Sequence, residues 1–590
     1  MTASSLQQKL DDLRAALKKE GVDGFIIPRA DEYQGEYVPA SADRLRWISG
    51  FTGSAGVAVV LTDKAAVLSD GRYTIQLKQQ IDASLFETDD STKVSAGDWI
   101  SKIAKKGAVI GYDPKLHTPR EIKSFEDKGL TMKALPANPL DAVWKDRPSA
   151  PSAKVEAFPL SSAGVSAQDK LDQVAGALKD KKAQAAIIAL PDSIAWLLNI
   201  RSSDIPHIPV ALSYAIAHEN GTLDWYIDAN RVGAEVQKSF GNRVSIKAPK
   251  DLEADFAKLM DKAVLVDERR TSQWFLTELR KHGAKIIDAK DPTIILKARK
   301  NPAEQEAMRN AHVRDGAAVT KFLKWLSENK ETITELDIEA KLEEFRKAAP
   351  EYRDSSFDTI AGFGSNGAIV HYRATKETAK MLEQGSLLLL DSGAQYADGT
   401  TDITRTMAIG TPSKEMKERF TLVLKAHIAV ARARFPVGTT GAQIDALARA
   451  PLWERNLDYA HGTGHGVGCY LSVHEEATSL SPRGAEAMEA GMIVSNEPGY
   501  YKEGAYGIRL ENLILAYEDG VCADTGKKML AFETLTFVPF DLSCVDFGLL
   551  NESEKKWLSD YHKAVFEKLS PYLDAPTKDW LLKTTAAQHA

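Results

Sequence analysis

The run His461–Gly468, HGTGHGVG, places two histidines in a stretch where glycine occupies every second position. Because glycine has no Cβ, this run lets the backbone lie close to its neighbours and leaves the imidazole of His465 free to reach inward. Another histidine, His474, follows shortly after. Such a stretch makes a poor hydrophobic core, whereas imidazole is a common ligand for divalent metal ions. The sequence therefore predicts a metal site close to His465.

Two predicted β-hairpins carry acids that could complete this site. The apolar run 385–391 ends in Asp391, and Asp402 begins a second β-rich segment beyond the turn signal Asp398-Gly399. A hairpin centred between residues 396 and 397 would set Asp391 opposite Asp402. In the second hairpin, segments 492–497 and 507–515 flank a turn centred on Gly504, which sets Glu497 opposite Glu511.

Four carboxylates that point inward would repel one another unless they were protonated or bound cations. Any one of these acids could instead be a turn residue or a salt-bridge partner, but four beside the histidine motif favour a metal centre. The excess of carboxylates over imidazole suits Mn²⁺, with Zn²⁺ or Co²⁺ as substitutes.

The N-terminal half contains a diverged internal repeat. Segment 9–18, KLDDLRAALK, is echoed by segment 170–179, KLDQVAGALK, and an apolar, strand-like run follows each. Helix–strand units of this kind predict two similar α/β domains, separated by a linker rich in Pro and Ser at 145–152. Asn301, Pro302 and Glu304 predict the start of a long helix in a further domain. We expect domains at 1–148, 149–298 and 299–590.

The C-terminal part is predicted to contain one more amphipathic helix, 551–569, with Asn551 as its N-cap. Trp557, Tyr561 and Val565 are among the apolar residues of one face. This face must be covered, either by the chain's own third domain or by a second copy of the chain. Beyond Pro571 we expect a loose end.

Composition excludes several classes of protein. The net charge of −7 and the lack of a Lys/Arg-rich patch argue against binding to nucleic acid. The apolar runs are too short to span a bilayer, and the N-terminal segment is typical of a first helix rather than of a signal peptide. Cys469, Cys522 and Cys544 are widely separated, which suits a reducing compartment. These features predict a cytoplasmic protein that binds neither nucleic acid nor membrane.

The motifs LDSGAQYADGTTDITRT, HGTGHGVG, NEPGYY and GIRLENL resemble the aminopeptidase P branch of the "pita-bread" metallopeptidases, a family that includes prolidase. The resemblance covers essentially the whole chain. It implies an α/β (α+β) fold, in which two creatinase-type α/β domains precede a pita-bread catalytic domain. It also implies a homodimer that acts on short proline-containing peptides.

The resemblance implies a role for each site residue. Asp391 would bind one of two divalent metal ions, Asp402 and Glu511 would bridge both, and His465 and Glu497 would complete the second site. His371 and His474 match histidines that handle the substrate. His461 matches a residue beside the proline-binding pocket, and Arg509, on the same strand face as Glu511, is a further candidate for substrate binding.

The expected reaction is release of the residue that precedes proline, by attack of a hydroxide that bridges the two metal ions. Glu497 would move the proton and His474 would stabilise the oxyanion. The same fold leaves three alternatives: a prolidase, whose ligand set is the same, a creatinase, which uses no metal, and a non-enzymatic binding protein. The complete ligand set argues against the last two, and the three-domain length favours an aminopeptidase over a prolidase.

Overall fold

The computed structural model describes residues 3–329 and 333–586. The chain up to Leu160 forms one compact unit together with Val165–Ile294, and Ser161–Gly164 forms the second with the chain from Ile295 onward. The expected domain boundaries at 148 and 298 stay a prediction. Among the described residues, no helix combines the length and apolar composition needed to cross a membrane.

The first unit is built on two six-stranded mixed sheets. The first sheet has the order β4-β3-β2-β1-β5-β6 and consists of β1 (Gly24–Pro28), β2 (Val57–Leu61), β3 (Ala65–Ser69), β4 (Glu87–Asp90), β5 (Val109–Tyr112) and β6 (Thr131–Ala134). The strands that follow are β7 (Glu156–Ala157), β8 (Ala185–Ile188), β9 (Ile200–Arg201), β10 (Tyr214–His218), β11 (Leu223–Tyr226), β12 (Val244–Lys247), β13 (Ala263–Val266) and β14 (Lys285–Asp288). The second sheet has the order β12-β11-β10-β8-β13-β14, while β7 pairs with β9.

The two sheets agree in strand order and in the direction of every pair. The first strand of each, β1 or β8, pairs antiparallel with the next strand of its sheet and parallel with β5 or β13. This agreement confirms the two similar α/β folds that the internal repeat predicted. The helices up to residue 298 are α1 (Ala3–Glu20), α2 (Arg44–Ser49), α3 (Thr74–Gln80), α4 (Ala96–Ile103), α5 (Pro119–Glu126), α6 (Pro139–Val143), α7 (Leu160–Ala163), α8 (Ala167–Asp180), α9 (Pro191–Leu198), α10 (Ala234–Ser239), α11 (Leu252–Asp255), α12 (Gln273–Lys281) and α13 (Pro292–Ala298). Most of α7 and the end of α13 belong to the second unit.

The second unit opens with a long helix, as predicted. Asn301 caps it: its side chain accepts from the backbone N–H groups of Ala303 and Glu304, and the Glu304 carboxylate accepts from the N–H of Asn301. This reciprocal arrangement satisfies donors that have no partner inside a helix. The helices are α14 (Pro302–Glu328), α15 (Glu335–Lys347), α16 (Lys414–Ala431), α17 (Gly441–Trp453), α18 (Glu552–Leu569) and α19 (Ala575–Thr585).

The strands of the second unit are β15 (Tyr352–Ser355), β16 (Ile360–Phe363), β17 (Ser386–Ser392), β18 (Ala394–Tyr396), β19 (Gly399–Thr400), β20 (Ile403–Ile409), β21 (Arg434–Pro436), β22 (Gly464–Gly466), β23 (Glu475–Leu480), β24 (Ile493–Asn496), β25 (Gly499–Lys502), β26 (Tyr506–Arg509), β27 (Asn512–Val521) and β28 (Lys528–Thr534). One sheet has the order β16-β17-β20 and another β15-β18-β19. A six-stranded sheet has the order β21-β28-β27-β24-β22-β23, and β25 pairs with β26.

The register of the second predicted hairpin is confirmed, and that of the first is wrong. Gly499 pairs with Arg509 and Asn496 with Asn512, as a turn centred on Gly504 requires. Asp391, however, pairs with Thr404 rather than with Asp402, which precedes β20. The hairpin is interrupted at Gly393, where its tip leaves the β17–β20 sheet to join β15. A Cβ at this glycine would lie 2.1 Å from both Ser356 Oγ and Thr401 O, so no larger residue fits there.

The chain end differs from the expected loose tail. After α18, Asp574 caps α19, and Leu581 of this helix is fully buried. Leu558, Tyr561, Val565 and Leu569 of α18 are buried as well, in the core of their own unit. The apolar face of α18 is therefore covered within the chain itself.

Trp557→Asp should destabilise the fold, because Trp557 stacks on Tyr561 with ring centroids 5.3 Å apart and meets the ring of His427 edge-on. We expect the free energy of unfolding to fall by about 2–4 kcal/mol, since an aromatic contact is lost and a charge enters an apolar surface. Urea unfolding measures this loss. Lys556→Asp, which changes a side chain that is 74% exposed, should cost less than about 0.5 kcal/mol. Equal losses in the two variants would contradict the packing seen here.

Candidate metal centre

Five side chains of ligand type converge where the sheets of the second unit meet. Asp391 lies near the end of β17, Asp402 precedes β20, and His465 is the middle residue of β22. Glu497 follows β24, and Glu511 separates β26 from β27. Each residue thus lies on or beside a strand. Asp391, Asp402 and Glu511 are buried, whereas Glu497 and His465 are partly exposed.

The glycines beside His465 allow this convergence. A Cβ at Gly464 would lie 1.9 Å from Ser495 O, so only glycine lets β22 come so close to β24. The backbone N–H of His465 donates to Ser495 Oγ at 2.9 Å. Its ring Nδ1 faces the carbonyl oxygen of Gly466 at 2.9 Å, so the proton belongs on Nδ1 and Nε2 is left for the centre.

The distances show how tightly the centre is packed. His465 Nε2 lies 3.5 Å from Asp402 Oδ2 and 3.4 Å from Glu497 Oε1. Asp402, His465 and Glu511 each offer one ligand atom, and these three atoms lie within 4.8 Å of one another. Thr404 Oγ1 donates to Glu511 Oε2 at 2.8 Å and so fixes that carboxylate from the side.

Two buried carboxylate oxygens at this centre are suited to bind a cation. Among the described residues, neither Asp391 Oδ1 nor Glu511 Oε1 has a hydrogen-bond partner. A buried polar atom left without a partner costs free energy, and a divalent ion would satisfy both atoms. The donor set of four carboxylates and one imidazole is also one that divalent metals accept.

Crowding of like charges shifts the acid–base behaviour of the metal-free centre. Burial raises the pKa of Glu497 to about 7 and, together with the charges of Asp402 and Glu497, raises that of Glu511 well above its usual range. Burial also raises the pKa of Asp391, against the opposing charge of Arg509. Burial lowers the pKa of His465, but its hydrogen bond to Asp402 and the charge of Glu497 outweigh this and raise it to about 9.

Arg509 joins a chain of hydrogen bonds that leads away from the centre. Its Nη2 donates to Asp391 Oδ2 at 2.5 Å and its Nη1 to the hydroxyl of Tyr501 at 2.7 Å. His461 Nδ1 lies 2.8 Å from the carbonyl oxygen of Gly462, which only accepts, so Nδ1 carries the proton of the neutral ring. His461 Nε2 therefore accepts from the Tyr501 hydroxyl, 2.8 Å away.

The other two predicted histidines lie on different elements. The rings of His474 and His465 meet edge to face with centroids 4.2 Å apart, so His474 borders the centre. His371 follows Val370, whose carbonyl oxygen accepts from Arg509 Nη2 at 3.2 Å. The loop around His371 is held by the buried Glu335 carboxylate, which accepts from the hydroxyl of Tyr372 and the N–H groups of Phe363 and Lys380.

The structure thus groups the proposed metal ligands with Arg509, His461 and His474, whereas for His371 it shows only that the preceding residue contacts Arg509. It also adds partners that the sequence did not indicate. Tyr501 was noted only as part of the NEPGYY motif, yet it connects Arg509 to His461. Thr404 was noted only as part of a β-rich segment, yet it donates to Glu511. The sequence could have indicated Tyr501, because this residue lies in one strand of the predicted hairpin and Arg509 lies in the other. Thr404 had no signal beyond its nearness to Asp402.

Comparison with known proteins places this centre in a family. Residues 306–518 match metallopeptidase family M24 and residues 528–588 match the C-terminal region of peptidase M24. Residues 9–140 and 146–304 each match a creatinase/prolidase N-terminal domain.

Relatives and solved structures agree with these matches. The probable Xaa-Pro aminopeptidase P of Paracoccidioides brasiliensis is 38% identical over 99% of this chain and 100% of its own length. That of Ajellomyces dermatitidis is 39% identical over 98% of each chain. The crystal structure of X-prolyl aminopeptidase from Caenorhabditis elegans, a cytosolic enzyme with a di-nuclear active site, is 32% identical, covers 98% of this chain and 99% of its own, and has a TM-score of 0.93. A prolidase from Pyrococcus horikoshii, 25% identical, covers 63% of this chain and 99% of its own, with a TM-score of 0.51.

The contribution of Glu497 and His465 to the stability of the metal-free protein should fall as the pH rises from about 4.5 to about 9. Glu497 has a pKa of about 7 in the fold against an ordinary 4.5, and His465 about 9 against 6.5. Between each pair of values the folded protein holds a proton that the unfolded chain has released. Each group therefore stabilises the fold at the lower pH, and this contribution disappears as the pH rises through the folded-state pKa.

Urea unfolding of the chelated protein across this pH range measures the trend. Glu497→Gln is the control, because it removes the carboxylate and should flatten the dependence between pH 4.5 and 7. The same slope in this variant and in the wild type would refute the assignment.

Proposed function

The chain belongs to metallopeptidase family M24, and we propose that it is a metal-dependent aminopeptidase that releases the N-terminal residue from peptides with proline in the second position. The observation that carries this proposal is the close grouping of Asp402, His465 and Glu511, with Glu497 Oε1 3.4 Å from His465 Nε2. Beside it, Asp391 and Glu511 each have a buried carboxylate oxygen without a partner among the described residues. Likeness to the worm X-prolyl aminopeptidase over 98% of the chain supports this activity over that of a prolidase, which covers 63%.

Two divalent metal ions would be held by Asp391, Asp402, His465, Glu497 and Glu511, with Asp402 and Glu511 shared between them. Support for two ions comes from the di-nuclear active site of the worm enzyme and from the donor set itself. We propose Mn²⁺, since carboxylates outnumber imidazole four to one. When bound, such ions lower the pKa of a water and polarise the substrate carbonyl.

The protein's own side chains would perform the remaining steps. Glu497 Oε1 accepts from Ser495 Oγ at 3.1 Å, whereas Oε2 faces His461 Nδ1 at 4.0 Å. We assign Oε2 to take up a proton during attack and to deliver it to the leaving nitrogen. His474, at the edge of the centre, would donate to the oxyanion.

Selectivity for proline would follow from the leaving group. A proline nitrogen is a tertiary amide without N–H, so the site needs space for a ring and no acceptor at that position. His371 would bind the substrate from its loop. Both ring nitrogens of His461 are engaged within the protein, so this histidine would support the proline pocket through Tyr501 and Arg509.

We propose a cytoplasmic location for the enzyme. The worm relative is a cytosolic enzyme, and all three cysteines are free, which supports a cytoplasmic location. We also propose a homodimer. Since α18 covers its apolar face within its own unit, the contact would lie elsewhere, and sedimentation at micromolar concentration tests it.

Cleavage of a tripeptide Xaa-Pro-Xaa by the Mn²⁺-loaded protein tests the activity directly. We expect release of the first residue, loss of activity on chelation, and slower cleavage of the dipeptide Xaa-Pro. Metal analysis should show two ions per chain in the wild type.

Asp402→Asn serves as the matched variant for this experiment, because it keeps the size of the side chain but removes a charge shared by both ions. It should reduce both metal content and rate. A variant with two bound ions and the wild-type rate, or a wild type that cleaves only the dipeptide, would refute the proposal.

His474→Ala should lower kcat by about 10²–10³, the usual effect of removing one oxyanion donor, while the metal content stays at the wild-type level. The reason is that His474 borders the centre but does not belong to the proposed ligand set. Steady-state kinetics together with metal analysis separate the two effects. A change in KM alone would show that His474 only binds the substrate.

A further inference from the structure

A fully buried histidine lies directly behind the two glutamates of the centre. His427 is on α16, and its side chain has no exposed surface. Its Nδ1 lies 3.1 Å from the carbonyl oxygen of Asn496 and 3.2 Å from that of Leu510. These two carbonyls belong to the peptide bonds whose nitrogens are those of Glu497 and Glu511. One ring nitrogen therefore contacts both peptides that lead into the glutamates.

The protonation of this ring follows from its partners. Carbonyl oxygens only accept, so Nδ1 carries the proton and is shared between the two peptides. On the other side, Nε2 lies 3.2 Å from the side-chain amide of Asn512. Burial and the charge of Arg405 lower the pKa of His427 to about 3, which is consistent with a neutral ring.

Arg405 determines how the Asn512 amide is turned. Its Nη2 donates to the side chain of Asn512 at 2.8 Å, and since arginine only donates, the atom that it meets is Oδ1. The amide nitrogen of Asn512 must then face His427 Nε2 and donate to it. Arg405 Nη2 also donates to the hydroxyl of Tyr561 on α18 at 2.8 Å. The tautomer of His427 is thus fixed by carbonyl oxygens that can only accept, and the orientation of the Asn512 amide is fixed by Arg405, which can only donate.

The same two peptides are held at their opposite ends as well. The N–H of Glu497 donates to Thr463 O at 2.8 Å, and the N–H of Glu511 donates to Thr404 O at 3.1 Å. Thr463 lies two residues before His465, and Thr404 lies two residues after Asp402. His427 therefore completes a set of bonds that connects the chain segments of four proposed ligands.

We infer that His427 is a positioning residue, whose Nδ1–H holds the peptides of Glu497 and Glu511 at the spacing that two metal ions require, a role that presupposes the two-metal centre proposed above. It touches neither substrate nor metal. Residues that orient metal ligands in this way change metal affinity by about 10–100-fold when they are replaced.

Calorimetric titration of the metal-free protein with Mn²⁺ tests this role without relying on activity. His427→Phe keeps a ring against Phe540 and Trp557 but has no ring nitrogen. We expect Mn²⁺ to bind this variant about 10–100-fold more weakly than the wild type. His562→Phe is the matched control: His562 is also buried and accepts from the N–H of Phe540 at 3.1 Å, but among the described hydrogen bonds it donates none to the peptides of the two glutamates. It should bind Mn²⁺ within twofold of the wild type.

Two further variants keep the test decisive if His427→Phe does not fold. The amide nitrogen of asparagine can occupy the place of Nδ1, whereas that of glutamine reaches the place of Nε2. His427→Asn should therefore bind Mn²⁺ more tightly than His427→Gln. Equal affinities of these two variants, wild-type affinity in a folded His427→Phe, or an equal loss in His562→Phe would overturn the inference. A wild type that bound no Mn²⁺ would instead overturn the proposed function.

Discussion

Repulsion between carboxylates that are packed together away from water is the constraint on which the catalytic unit depends. Asp391, Asp402, Glu497 and Glu511 share one small space, and burial together with the neighbouring carboxylates raises the pKa of three of them, Asp391, Glu497 and Glu511. Charges interact much more strongly in such a site than in water. Arg509 and His465 supply positive charge, yet two carboxylate oxygens still have no partner among the described residues. The fold therefore provides a place for cations by leaving negative charge incompletely compensated.

Such a centre must be held by the structure around it, because its own side chains push apart. One support is Asp315 on α14, which pairs with Arg346 and accepts from Tyr396 and Thr401, and so fixes the tip of the hairpin that bears Asp391 and Asp402. A second is His427 behind the two glutamates. A third is Glu335 beneath the loop of His371. All three are buried polar groups with several partners, the arrangement in which a network makes one geometry rigid.

The C-terminal helices belong to this support rather than to a separate appendage. Tyr561 of α18 accepts from Arg405 and donates to the carbonyl of Val538, and Trp557 covers the ring of His427. The sequence predicted α18 and its cap correctly but left open what its apolar face covers. It missed α19, because this short helix follows Pro571 and carries Pro576 in its first turn. Proline is tolerated at that place, and burial of Leu581 supplies the stability that local pattern alone does not reveal.

The sequence by itself determined the chemistry of the protein: which side chains could bind metal, which strands bear them, and where the glutamate hairpin turns. It did so because acids at strand ends and glycines around a histidine are local patterns. The first hairpin was misplaced by two residues, a shift that leaves every side chain on the same face and so cannot be detected from alternation. Only the tertiary structure decided that shift, together with the parts played by Tyr501 and His427. Both residues act through partners on other elements, and contacts of that kind depend on how the strands and helices pack, which no pattern of neighbouring residues records.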